Sequence, residues 1–170
     1  MQLLIGIHLH RLPTQKMEQL AEFIKESFKK EPNTFLFVFD YFAFSEKELC
    51  ALSSLTSIPP ERFFLIRHGY KNRPIVSSFP PYKKSFKKAV RAISAKLGKN
   101  DKVKVVSFGG AAAFCYKRIF DGALSSLGGW FGRRLASAEP YPPLIYGRPA
   151  KPESKSAIKP RPLPRKKPLP

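Results

Sequence analysis

Four short apolar runs alternate with stretches of helical periodicity, and this alternation restricts the fold more than any other feature of the 170-residue sequence. The runs 2–10, 34–40 (extendable to Phe44), 62–67 and 102–108 are rich in Leu, Ile, Val and Phe and have strand length. Between them, Met17, Leu20, Ala21, Ile24 and Phe28 recur at helical spacing behind Pro13-Thr14, with Thr14 placed as N-cap. Ser45 and Glu48 form a capping box for a short helix to about Thr56. A third helix is predicted over 82–97 and a fourth over 111–127, entered through Gly109-Gly110 and closed by Gly128-Gly129. Strand and helix repeated four times predict a mostly parallel sheet of four or more strands with crossover helices on its faces.

The predicted fold is therefore a single three-layer α/β domain over 1–135, similar to flavodoxin-like and Rossmann-like sheets. Residues 136–170 read as a Pro-rich basic tail, with prolines at 149, 152, 160, 162, 164, 168 and 170. Such a composition does not build a core and favours extended polyproline conformations. None of the apolar runs has the ~20 residues needed to span a bilayer. Cys50 and Cys115 fit neither a zinc site nor a disulfide framework, which points to a reducing, cytoplasmic setting.

The net charge of +19 is unevenly placed. Residues 1–61 hold 6 basic and 8 acidic side chains, 62–150 hold 18 and 3, and 151–170 hold 7 and 1. The whole excess follows Glu61, and a one-sided field of this kind attracts polyanions. Nucleic acid is expected ahead of a membrane, because no basic helix has the exposed apolar face that interfacial binding uses.

The helix predicted over 82–97 carries the sharpest local signal. Phe86, Ala89, Val90, Ile93 and Leu97 fall within about 100° of arc, and Lys83, Lys84, Lys87, Lys88, Arg91 and Lys99 occupy the opposite side. It contains no acid. Solvated helices commonly mix Glu with Lys, since like charges three or four residues apart repel. The unrelieved repulsion points to an anionic partner. Arg62, Lys71, Arg73, Lys102 and Lys104 are expected to extend the same nucleic-acid-binding surface. Gly109 and Gly110, read as a strand-to-helix turn, are candidate phosphate-binding backbone.

A second candidate is the set of polar residues at predicted strand ends: His8, His10, Asp40 and His68. His8-Leu9-His10 resembles the His-hydrophobic-His pair of HUH endonucleases, which implies a metal held by both rings and a tyrosine nucleophile, Tyr82 or Tyr116 here. That family's sheet is antiparallel, unlike the one predicted. Leu65-Ile66-Arg67-His68-Gly69 resembles the RHG motif of histidine phosphatases, which implies a phosphorylated His68 with Arg67 on phosphate. No histidine follows His68 to complete that pair.

The expectation is a nucleic-acid-binding accessory protein that grips the phosphate backbone without a cofactor or metal. The alternatives are a phosphoesterase or nuclease built on the strand-end cluster, and a structural or secretion-related protein that docks a partner through the tail and Trp130.

Overall fold

The computed structural model describes residues 1–9, 14–39, 58–69, 78–98, 100–110 and 115–146. Five strands form one sheet: β1 (Gln2–Ile7), β2 (Thr34–Phe39), β3 (Phe63–Ile66), β4 (Val103–Gly110) and β5 (Leu135–Tyr146). Among the described residues three helices accompany it: α1 (Thr14–Lys30), α2 (Lys83–Ser94) and α3 (Lys117–Phe131). All the strand pairs are parallel, in the order β3-β2-β1-β4-β5. This doubly wound order reverses between β1 and β4, as in Rossmann-like sheets. The helix predicted over 45–56 lies outside the described residues, as does the tail from 147 onward.

The period-two alternation of the strands divides the core. Leu3, Ile5, Ile7, Phe35, Phe37, Phe39, Val103 and Val105 face one layer, which contains Phe86, Val90 and Ile93 of α2 and Ile119, Ala123 and Leu127 of α3. Leu4, Leu36, Val38, Val106 and Phe108 face the other, with Leu20 and Ile24 of α1. Both faces are covered, which is why β2 is buried along its whole length. An aromatic edge holds α2 to the sheet, where Phe86 meets Phe37 of β2 with centroids 5.6 Å apart, and a second ties α2 to the segment before it, where Phe86 meets Phe79 at 5.2 Å, both near 90°. Among the described residues no helix is long and apolar enough to cross a membrane.

Three sequence expectations are corrected. Residues 136–146, assigned to the tail, form most of β5, so the sheet has a fifth strand and continues past the expected boundary at 135. Pro142 and Pro143 are tolerated because the register shifts between Ser107↔Pro140 and Gly109↔Ile145, leaving 141–144 out of the paired ladder, and β5 as a whole lies at the sheet edge, where proline is least disruptive. Tyr141 fastens this segment by stacking on Phe23 of α1, 4.2 Å between centroids.

Gly109 and Gly110 end β4 instead of forming a turn, paired with Ile145 and Tyr146. Glycine is required at 109 by its φ of +142° and because a Cβ there would lie 1.9 Å from the Ile7 carbonyl oxygen. Gly128-Gly129, expected to close the last helix, lie inside α3, which runs on to Phe131 and ends at Gly132 with φ +49°.

Candidate nucleic-acid interface

Helix α2 realises the two-sided pattern of its sequence. Phe86, Ala89, Val90 and Ile93 are buried, and Lys83, Lys84, Lys87, Lys88 and Arg91 are all exposed. Lys84, Lys87, Lys88 and Arg91 are spaced i, i+3, i+4, i+7 and so form one continuous stripe along the helix. Four like-charged neighbour pairs arise within it, at a cost of roughly 0.2–0.5 kcal/mol each.

The stripe forms one wall of a groove of about 590 Å³ whose other side is the carboxyl end of edge strand β3. There Arg67 joins the four α2 cations, and among the described residues none that lines the groove is acidic. Ser85 fixes the distance between the walls. Its hydroxyl accepts from the Arg67 backbone N–H at 3.1 Å and donates to the Leu65 carbonyl at 3.5 Å. A side chain thus occupies backbone groups that an edge strand would otherwise offer to another chain. The Gly69 N–H donates to the Pro81 carbonyl at 3.1 Å and ties the segment after β3 to the start of α2.

At the far end of the groove the Arg91 guanidinium lies 5.8 Å from the centre of the Trp130 ring. Lys83 turns the other way, into a second hollow between α2 and α3 that also holds Arg118 and Asp121. Asp121 is held by Lys117 at 2.8 Å, an exposed pair that raises the lysine's pKa through that hydrogen bond and the carboxylate's charge.

The remaining predicted cations do not join the stripe. Arg62 sits before β3, at the opposite end of the strand from Arg67, and donates to the Pro32 carbonyl. Lys102 precedes β4 and donates to the Arg133 carbonyl at 3.3 Å. Lys104 is the exposed second residue of β4, in register with Gln2, at the sheet's amino end. Lys71, Arg73 and Lys99 lie outside the described residues. Arg67, read from the sequence only as part of a strand-end motif, belongs to the groove. No local signal reveals this, since the residue meets α2 only through the packing of β3 against it.

The strand-end cluster is partly described. His8 follows β1, fully buried with φ +50°, and His68 lies beyond β3 with its ring edge-on to Tyr82 at 5.7 Å. Register aligns Ile7, Phe39 and Ile66, so β2 separates the two strand ends by about 10 Å. His10 and Asp40 are outside the described residues. Among the described residues no group of three His, Cys, Asp or Glu is placed to hold a metal ion. Tyr82 is fully buried, and Tyr116 is buried with its hydroxyl 2.6 Å from Ser107 Oγ. Burial is the main cause that raises the Tyr116 pKa above its ordinary value of 10.0, opposed by the Ser107 hydrogen bond and aided by Asp121. Neither phenol stands at an open surface as a nucleophile. Gly109 and Gly110 are buried within the sheet as the last residues of β4, and the connection 111–114 that follows them lies outside the described residues.

No protein-family model, no curated protein and no solved structure matches this chain.

Proposed function

We propose that this α/β protein binds nucleic acid through its phosphate backbone, acting as a cytoplasmic accessory protein. The observation that carries the reading is the groove in which Arg67 faces Lys84, Lys87, Lys88 and Arg91 with no acidic side chain among its described lining residues. Cations gathered without compensating carboxylates repel one another, and a polyanion removes that repulsion while releasing its own condensed counterions. Binding of this type positions a protein along the backbone and reads little sequence. The one-sided charge beyond Glu61 adds long-range steering toward such a partner.

Titration of labelled single- and double-stranded DNA and RNA at several salt concentrations tests the proposal. If all five groove cations engage phosphates, log K falls against log salt with a slope of about −4.5 on duplex or −3.5 on a single strand. Replacing Lys84, Lys87, Lys88 and Arg91 by Gln flattens the slope by about 3–4 units with the fold intact. A slope unchanged by the four substitutions removes the groove from the binding surface.

A further inference from the structure

The groove offers more than charge. It is lined by the Pro81 ring and by lysines whose four-carbon stems are apolar, with their ammonium heads free to reach outward. At one end the exposed Arg91 guanidinium lies within cation–π range of Trp130, 5.8 Å from the ring centre, and an exposed guanidinium beside an aromatic ring offers a flat surface on which a nucleobase can stack. The site thus suits a ligand that combines anionic groups with accessible flat, apolar faces. Duplex nucleic acid presents phosphates but keeps its base faces stacked inside. An unpaired strand presents both.

The groove's shape points the same way. From Lys84 to Arg91 the cationic wall is about 10 Å long, and the opposing wall is a strand end. A thin flexible backbone enters such a concavity, whereas a duplex is read by elements that protrude into its grooves.

We infer that the groove takes an unpaired nucleic-acid strand in preference to duplex, with phosphates on Arg67, Lys84, Lys87 and Lys88 and a base stacked on Arg91. This inference rests on the phosphate-gripping reading above. Arg91 then acts as more than one charge among five, because its plane contacts the base and Trp130 positions that plane.

The test uses the full chain with three probes at one salt concentration: a short fluorescent oligothymidylate, the same strand annealed to its complement, and inorganic polyphosphate. Trp130 is the only tryptophan, so its emission reports from the end of the groove. The strand is expected to bind on the order of 10-fold more tightly than the duplex and to change Trp130 emission. Arg91→Lys keeps the charge and loses the plane. It is expected to weaken the strand on the order of 10-fold and to leave polyphosphate unaffected. Duplex bound as tightly as strand, or an Arg91→Lys effect equal on strand and polyphosphate, overturns the inference while the phosphate-gripping reading stands. If none of the three probes binds, that reading falls as well.

Discussion

Lys88→Glu separates what the cationic groove does for binding from what it costs in stability. Lys88 is exposed on α2, with Lys84 one turn before it and Arg91 three residues after, both exposed and both positive. Substitution by Glu removes two like-charge neighbours and creates two opposite-charge ones. At roughly 0.2–0.5 kcal/mol for each of the four changes, the domain gains about 1 kcal/mol or slightly more. Lys and Glu have similar helix propensities, and the buried face of α2 is untouched, so no opposing term of that size arises. For a folded unit of this size the gain corresponds to a rise in Tm of about 3–5 °C. The assay is urea unfolding at low salt, repeated at 1 M salt, where a screening length of about 3 Å erases most of the gain. In parallel, affinity for an oligonucleotide falls at least about tenfold, and the salt slope loses about one unit. Lys88→Gln, which relieves repulsion without adding attraction, gives about half the stabilisation. A less stable Lys88→Glu protein would refute the claim that these cations are uncompensated. Unchanged affinity would remove the groove from function.

Other outcomes follow from the glycines and from the buried phenol. Gly109→Ala destabilises by at least about 2 kcal/mol, because the residue has φ +142° and its new methyl meets the Ile7 carbonyl. Gly128→Ala stabilises by roughly 0.5–1 kcal/mol, since that residue lies inside α3 with nothing within 4 Å of an added Cβ. Thermal unfolding of the two variants checks both signs, and equal effects would contradict the placement of these glycines. Tyr116 has a folded-state pKa above its unfolded value, so its contribution is fully present below pH ~10 and is lost as pH rises through the folded pKa. Tyr116→Phe is less stable at neutral pH by about 1 kcal/mol for the lost Ser107 hydrogen bond, and the gap to wild type narrows above pH ~10 in urea unfolding. A gap that is constant across that range would place the phenol in solvent.

Local periodicity is legible along the chain without any knowledge of its packing. The strand-helix alternation was sufficient for the α/β class and the parallel sheet, and the 3.6-residue spacing of Phe86, Ala89, Val90 and Ile93 was sufficient for the two-faced basic helix. Neither depends on what lies across the fold. The remaining features depend on contacts between segments distant in sequence. Residues 136–146 read as tail because proline marks broken secondary structure, yet at the sheet edge a break in register leaves 141–144 unpaired and the segment still forms β5. Gly109-Gly110 read as a turn because two glycines permit one, while the real requirement is close passage of β4 against the Ile7 backbone. The groove itself is non-local. Arg67 and Arg62 both flank β3, but only the carboxyl end of that strand meets α2 through Ser85, so Arg67 completes the cationic wall and Arg62 turns to the Pro32 carbonyl. Charge is a property of the sequence, whereas which charges meet is set by the packing of one strand end against one helix.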